Sequence, residues 1–320
     1  PLVKKGESIV KLKSSQRSAF IAFLVRAAVI IPVMYVILYP LFTMVSTSLQ
    51  SQYQALDPSV VWIPKLITDE NYKKAMLALD FSHSFLRSIE VNVLSAIIEV
   101  ATCAVTAYGF ARFKFKFKGL LMGLLILSII VPQEMIAVPT YLQLRYADIL
   151  GILGFLGKLI GTELRPSLIN TPWSFWIPSI LSVGLRSGLF IFIYMQFYKG
   201  LPKELEEAAY IDGAGPFKTF LKIIVPSSGT AIVTVTIFSV IWHWNEYYLS
   251  SIYFSSNFPL AVKLATIEET MNVMALVNSV TNRNGIIMAA SLMFILPMLV
   301  MYMIVQRKFV KSVDSVGIVG

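Results

Sequence analysis

Residues 20–45 read FIAFLVRAAVIIPVMYVILYPLFTMV, and a single charged residue, Arg26, interrupts this apolar stretch. A bilayer core about 30 Å thick is crossed by a helix of about 20 mostly apolar residues. Since the stretch is long enough and carries only one charge, it predicts a transmembrane helix.

Five further segments have the same character, at 88–110, 119–138, 176–197, 231–250 and 286–305. A shorter, glycine-rich stretch at 149–159 predicts a re-entrant or interfacial piece. The expected fold class is therefore all-α, a polytopic membrane protein with six transmembrane helices.

The composition supports a membrane protein: 56% of the residues are hydrophobic and 14% are charged, whereas soluble domains carry about 25% charged residues. The mean hydropathy is +0.71. The net charge of +9 does not indicate nucleic-acid binding, because the basic residues flank the apolar runs. The lone cysteine, Cys103, excludes an internal disulfide and a multi-cysteine metal site, and it is expected to be buried.

The distribution of lysine and arginine predicts the orientation, because cytoplasmic loops are enriched in these residues. Six spans place sixteen basic residues on one side: Lys4, Lys5, Lys11, Lys13, Arg17, Arg112, Lys114, Lys116, Lys118, Lys199, Lys203, Lys218, Lys222, Arg307, Lys308 and Lys311. The other side receives eight: Lys65, Lys73, Lys74, Arg145, Lys158, Arg165, Lys263 and Arg283. Both termini are therefore expected in the cytoplasm.

This orientation divides the chain into a cytoplasmic amino-terminal tail at 1–18, a transmembrane domain at 19–306 and a cytoplasmic carboxyl-terminal tail at 307–320. The amino-terminal tail is too polar for a cleaved signal peptide. Within the transmembrane domain, residues 201–226 form a cytoplasmic loop and residues 139–174 an extended external loop.

The cytoplasmic loop reads LPKELEEAAYIDGAGPFKTFLKIIVP from residue 201 to residue 226. Pro202 and the three glutamates after it suit the first turn of a helix, and Asp212-Gly213 would end that helix. A second helix would begin at Gly215-Pro216. It is expected to carry Phe217, Phe220 and Ile223 on one side, with Pro226 separating it from the fifth span.

Several residues of this loop stand at fixed offsets: Glu207-Ala208-Ala209, then Gly213, Ile223 and Val225-Pro226. The spacing resembles the signature of importer permeases of the ATP-binding-cassette (ABC) class, with valine in place of leucine at 225. In that family the loop is the coupling helix, which docks in a groove of a separate ATPase subunit. The resemblance implies ATPase contact by Glu204, Glu207, Ala208, Ala209, Asp212, Gly213, Ile223 and Pro226.

Other stretches are similar to carbohydrate-importer permeases of the maltose-type, MalG-like group. They are the external loop from Val61-Trp62 to Ala75, AYGFAR at 107–112, WNEY at 244–247 and QRKFV at 306–310. The tail departs from the group, since Ser312-Val313 stands where a glycine is usual and the chain ends Gly317-Ile318-Val319-Gly320. Contact of this tail with the ATPase is therefore less expected than docking of the loop.

The resemblance implies an assembly with a second permease, and the family's practice favours a different one. It also implies two ATPase subunits, membrane lipid and a periplasmic or lipid-anchored solute-binding protein. The chain has no G-x-x-x-x-G-K-[ST] phosphate loop. It is therefore expected to bind no cofactor and to be no enzyme, with ATP and Mg held by the partner ATPase.

Polar residues inside the predicted spans either pair with neighbouring helices or line a translocation path. The path candidates are Arg186, His243, Trp244, Asn245, Glu246 and Tyr248. Aromatic and amide side chains suit sugars, and the Arg186 guanidinium suits a carboxylate. With Arg145, Lys158 and Arg165 on the same side, an acidic, alginate-type oligosaccharide is one hypothesis for the substrate.

Residues 155–170 lengthen the external loop beyond what the family needs. They predict either an interfacial helix anchored by Trp173 and Trp176 or a contact surface for the binding protein or a large substrate.

Two alternatives of other classes stay open at the level of sequence. In an ion-coupled secondary transporter, Glu90, Glu99 and Glu246 would be relay groups, although no inverted repeat is evident. A membrane-embedded enzyme would need a catalytic constellation, and no nucleophile–base arrangement is apparent.

Overall fold

The computed structural model describes residues 2–51, 54, 63–148, 151–276 and 283–316, and for 2–20 and 307–316 it describes the backbone alone. Val61-Trp62 and the end at Gly317-Ile318-Val319-Gly320 lie outside the described residues. The helices in these ranges are α1 (Leu2–Leu49), α2 (Glu70–Leu79), α3 (Phe81–Arg112), α4 (Lys118–Ile130), α5 (Gln133–Arg145), α6 (Ile152–Ile160), α7 (Trp173–Ile180), α8 (Ser187–Gly200), α9 (Glu204–Ile211), α10 (Pro216–Ser227), α11 (Gly229–Trp244), α12 (Tyr248–Tyr253), α13 (Leu260–Ala265), α14 (Ile267–Val273) and α15 (Arg283–Val316). The described ranges contain no strand, which confirms the all-α fold class.

Three helices in the described ranges are long and apolar enough to cross a membrane without interruption: Ile21–Leu49, Phe81–Arg112 and Arg283–Gln306. Two more candidates are bent pairs. The axes of α4 and α5 differ by 109°, and those of α10 and α11 differ by 82°. Counting each bent pair as one span gives up to five spans, so the number of six stays a prediction.

The predicted fourth span, 176–197, is not one helix in the structure. Helix α7 ends at Ile180 and α8 begins at Ser187. Ser182 and Arg186 adopt left-handed backbone conformations, with φ of 57° and 63°, and this conformation is incompatible with a continuing right-handed helix. We call residues 181–186 the α7–α8 break.

The end of α10 also differs from the prediction. Pro226 lies inside α10, and the bend toward α11 comes at Ser228, where φ is −102° and ψ is 18°. The preceding residues, Phe220–Ile224, form a π-helical turn. Because a π turn already disturbs the regular hydrogen-bond ladder, the missing N–H of Pro226 causes no break there.

Phe217, Phe220 and Ile223, which were expected on one side of α10, differ in their exposure. Phe220 is buried, Ile223 is half-buried and Phe217 is 68% exposed. Ile224, the last residue of the π turn, is fully buried. A wider turn rotates the residues that follow it, so the face expected from regular helical spacing is not the face that packs.

The chain divides into two units, and the first contains residues Pro1–Ala75 with Val277–Leu292. In this unit hydrogen bonds join the carboxyl-terminal end of α1 to the beginning of α2. The Asn71 side-chain amide donates to the carbonyls of Ser48 and Gln50 at 2.9 and 2.8 Å. Ser48 Oγ also lies 2.9 Å from Tyr72 Oη. These bonds satisfy the carbonyls that the end of a helix leaves unpaired.

The second unit contains Met76–Leu276 and Met293–Gly320, and its core lies where small residues of α3 face aromatic residues of α8. Cys103, Ala104 and Ala107 are buried against a group of large side chains that includes Phe190 and Tyr194. Small residues let two helices approach closely in a membrane protein. The buried position expected for Cys103 is confirmed.

Candidate functional site

In the loop at 201–226, predicted to be cytoplasmic, helix α9 begins at Glu204, so Pro202 precedes the helix and does not lie in its first turn. Its first turn carries Glu204, Glu206 and Glu207, where negative charge is favourable beside unpaired N–H groups. The loop is therefore built as a short, separate helix, as its sequence predicts.

The end of α9 depends on Gly213, whose φ is +79°. The N–H of Gly213 donates to Tyr210 O at 3.0 Å, and the N–H of Ala214 donates to Ala209 O at 2.9 Å. These two bonds are the Schellman arrangement, in which a left-handed glycine lets the chain turn sharply away from the helix. The helix stop predicted from Asp212-Gly213 is confirmed.

Most of the residues expected to touch the ATPase are exposed: Glu204, Glu207, Ala208, Asp212, Gly213 and Pro226. Ala209 is buried and Ile223 is half-buried, so these two support the loop from inside. Two apolar side chains that the signature does not contain add to the exposed surface. Ile211 is 86% exposed and Phe217 is 68% exposed, and an apolar patch of this kind typically marks an interface.

An ion pair joins the inner side of α9 to the end of α3. Arg112 Nε lies 2.5 Å from Glu206 Oε1, with the two side chains 7% and 8% exposed. The guanidinium also donates from Nη2 to Leu201 O at 2.9 Å. Glu206 thus faces inward while its neighbour Glu207 faces outward, and only the structure separates their roles.

The path candidates fall into two groups. Arg186, Asn245 and Tyr248 are exposed, and Glu246 is half-buried with its Oε1 accepting from the N–H of Leu249 at 2.7 Å. The Arg186 guanidinium lies 5.7 Å from the centre of the Trp242 ring. The exposed polar side chains therefore come from the α7–α8 break, the residue after α11 and the start of α12.

His243 and Trp244 are each 1% exposed. Trp244 packs edge-on against Phe85, 6.0 Å between ring centres, and donates from Nε1 to Phe294 O at 3.1 Å. These contacts make Trp244 a packing residue of the second unit. His243 lies deeper than Asn245, and its Nδ1 is 2.9 Å from Ser239 O.

The buried Glu99, which the sequence suggested only as a relay group of the secondary-transporter alternative, lies between three helices. Its carboxylate accepts from the hydroxyls of Ser187 and Ser239, the latter at 3.1 Å. His243 Nδ1 lies 3.6 Å from Glu99 Oε2. Glu90, by contrast, pairs with Arg87 on its own helix at 2.7 Å. Of the two, only Glu99 joins α3 to other helices through its side chain.

Two cavities flank the α7–α8 break. One has a volume of about 400 Å³ and is lined by residues of α4, α5, α8 and the break, Arg186 among them. The other has a volume of about 70 Å³ and is lined by residues of α5, α7, α11, α12 and the break. Gln133, Ile136, Val183 and Gly184 line both, so the cavities are neighbours.

In the loop predicted to be external, the described residues of the 149–159 stretch lead into helix α6, whose apolar residues Phe155 and Leu159 are 69% and 76% exposed. Arg165 forms two hydrogen bonds of 2.7 Å with the Glu163 carboxylate. These bonds hold the pKa of Glu163 at about 2. Because this partner neutralises it, Arg165 adds little positive charge to the surface around it.

Comparison with known proteins agrees with this geometry. The sequence profile of the family described as "Binding-protein-dependent transport system inner membrane component" matches residues 101–315. The melibiose/raffinose/stachyose import permease protein MelC of Bacillus subtilis is 27% identical over 283 residues, which are 88% of this chain and 91% of MelC. The trehalose transport system permease protein SugB of Mycobacterium tuberculosis is 26% identical over 284 residues, which are 88% of this chain and 93% of SugB.

A solved structure has the same fold. It is a chain of a bacterial ABC transporter involved in the import of the acidic polysaccharide alginate, with a TM-score of 0.69 and 18% identity, covering 92% of this chain and 98% of that one. The family match covers well over half of the sequence. The chain therefore belongs to the inner membrane components of binding-protein-dependent transport systems, the permease subunits of ABC transporters.

Proposed function

We propose that this chain is a permease subunit through which an ABC importer moves an oligosaccharide across the inner membrane. The observation that carries the proposal is the cytoplasmic loop. Helix α9 presents Glu207, Ala208 and Gly213 outward and is fixed to α3 by the Arg112–Glu206 pair. The names of the sugar permeases among the relatives support the substrate class.

The proposed assembly contains this chain, a second and different permease, two ATPase subunits and a solute-binding protein. Both termini lie in the cytoplasm, as the distribution of lysine and arginine predicts. ATP and Mg are bound by the ATPase subunits. An ion-coupled mechanism is not favoured, because a permease of this family works with a binding protein.

The way α9 is held supports alternating access as the proposed mechanism. A force applied by the ATPase to the exposed side of α9 would pass through Glu206 to Arg112 at the end of α3. Helix α3 packs in the core of the second unit. Because packed helices move as rigid bodies, closure of the ATPase would tilt this helix and change the side from which the path opens.

Purification from native membranes in mild detergent tests the proposal. An ATPase and a second permease are expected to co-purify, and one sugar-loaded binding protein should raise ATP turnover. Purification of the chain alone, under conditions that keep known ABC complexes intact, would contradict it.

We also propose that the substrate is acidic, of the uronate type such as alginate. Arg186 supports this proposal, since its exposed guanidinium lines the cavity of about 400 Å³. A planar guanidinium matches a carboxylate with two parallel hydrogen bonds.

Arg186→Ala is expected to lower uptake of an acidic oligosaccharide by about tenfold or more, because hydrogen bonds to charged groups contribute about 1.5–3 kcal/mol. Uptake of any neutral sugar should change little. The measurement is uptake of radiolabelled trigalacturonate and maltotriose by the reconstituted complex. Arg165→Ala is the matched control, since Glu163 already neutralises that arginine. Equal effects of Arg186→Ala on both sugars would refute an acidic substrate.

A further inference from the structure

The α7–α8 break is held by one face of α3. Glu99, Thr102, Cys103 and Thr106 follow one another at the spacing of a single helix face. Each of them contacts the end of α7, the break or the start of α8, and Glu99 also accepts from Ser239 of α11. Thr102 Oγ1 donates to Ser179 O at 2.7 Å, and Thr106 Oγ1 lies 3.0 Å from Ser182 Oγ. Glu99 accepts from Ser187 Oγ, and Cys103 Sγ lies 3.8 Å from Ser187 O.

There is a physical reason for the contacts between α3 and the α7–α8 break. Non-helical backbone at membrane depth is tolerated where protein buries it or where it lines a cavity. Interrupted helices in transporters commonly carry the binding site at the interruption. The small cavity of about 70 Å³ lies against this break and is lined by Ser179, Val183, Gly184 and Leu185 from that region.

Two polar atoms at this small cavity have no protein partner among the described residues: His243 Nε2 and Ser179 Oγ. Both residues are 1% exposed, and both line the cavity. A buried polar atom without a hydrogen bond costs about 1–3 kcal/mol. Two such atoms at one cavity point to a ligand that supplies the missing bonds.

The partners of the neighbouring groups define the chemistry of that ligand. His243 Nδ1 lies 2.9 Å from Ser239 O, and because a carbonyl can only accept, Nδ1 carries the proton. In the neutral ring Nε2 is then an acceptor. Ser179 Oγ can donate or accept. A neutral hydroxyl fits both, since it donates to Nε2 and accepts from Ser179.

Other ligand classes fit less well. A carboxylate has no proton to give to Nε2, and no lysine or arginine lines the small cavity. Two of the three remaining lining hydroxyls already donate within the protein, Thr140 to Ile136 O and Ser174 to Thr171 O, and the third belongs to Tyr253. The small cavity, about 70 Å³ against about 400 Å³ for its neighbour, has room for a hydroxyl or hydroxymethyl group.

We infer that the small cavity, at His243 and Ser179, is a subsite that binds one neutral hydroxyl group of the transported sugar. The inference rests on the proposed function. The neighbouring cavity of about 400 Å³, which shares Gln133, Val183 and Gly184 with it, takes the rest of that sugar unit. Gly184 keeps the subsite open, because a Cβ at this position would lie 2.9 Å from Glu99 Oε1 and 3.0 Å from Ser179 Oγ.

Ser179→Ala tests the subsite, with Ser250→Ala as its matched control. Both hydroxyls are buried and unpartnered, but Ser250 does not line the cavity. Each variant is assembled into the whole complex with its binding protein in proteoliposomes. Radiolabelled maltotriose and trigalacturonate are the probe sugars, and uptake is measured with the binding protein saturated.

Ser179→Ala is expected to lower uptake of the transported probe about two- to tenfold, the effect of losing one neutral hydrogen bond. Ser250→Ala should leave uptake unchanged. Neither variant should lower the unfolding temperature measured without sugar, because neither hydroxyl has a protein partner. A rise in unfolding temperature on adding the transported sugar should be smaller in Ser179→Ala than in Ser250→Ala.

Equal uptake by Ser179→Ala and Ser250→Ala would overturn the proposed subsite. The cavity would then be filled by internal water and would not bind the sugar. Absence of uptake of every probe by the unsubstituted complex would instead contradict the proposed function and the inference with it. The two failures are therefore distinguishable in one experiment.

Discussion

Arg112→Ala is expected to lower sugar uptake more than tenfold and to destabilise the subunit by about 3–5 kcal/mol, the usual cost of removing one partner of a buried ion pair. Glu206 would be left 8% exposed without its partner, and Leu201 O would lose its hydrogen bond. The lost ion pair and the lost hydrogen bond both involve residues at the start of the loop at 201–226. The unfolding temperature of the purified complex should fall by several degrees, and ATP hydrolysis should no longer drive uptake.

Two control variants test whether the effect of Arg112→Ala comes from breaking a buried ion pair. Lys73→Ala breaks the Lys73–Asp69 pair, whose side chains are 71% and 73% exposed, and should change nothing measurable because exposed pairs contribute little. The double variant Arg112→Met with Glu206→Leu removes both charges and should recover most of the unfolding temperature. If the single and double variants are equally destabilised, the pair does not act as an ion pair.

The sequence predicted the part of this region that is locally determined. The start of α9 at the glutamates and its end at Gly213 follow from nearby residues, because capping and left-handed glycines act within one or two turns. The inward position of Glu206 depends instead on Arg112, which lies on another helix. Adjacent glutamates look alike in sequence, so only the packing distinguishes Glu206 from Glu207.

The break in the predicted fourth span was missed for a related reason. Residues 176–197 are apolar throughout apart from Arg186, Gln196 and a few hydroxyls, so hydropathy favours one continuous helix. Pro178 and Gly184 were local signals for an interruption. The groups that hold the break, Thr102 and Thr106, belong to α3, and their effect cannot be read from the segment itself. The π turn of α10 also departs from the regular helical period on which the expected face of that helix was based.

The most informative interface variant is Ile211→Asp. Ile211 is the last residue of α9 and is 86% exposed, and docking on the proposed ATPase would bury it. Burial of such a side chain contributes about 1.5–3 kcal/mol, and an aspartate in its place would also have to lose its hydration. We therefore expect the affinity for the ATPase to fall about a hundredfold or more, so that the ATPase no longer co-purifies.

Val273→Asp is a closely matched control for this variant. Val273 is the last residue of α14 and is 81% exposed, so a new aspartate meets the same kind of helix end there. Residue 273 lies between the predicted fifth and sixth spans, on the side away from the ATPase. Retention of the ATPase by Val273→Asp and its loss by Ile211→Asp would assign the effect to the α9 surface. Retention by both would mean that Ile211 is not covered by the ATPase, and the docking surface would then be restricted to Glu207, Ala208 and Gly213.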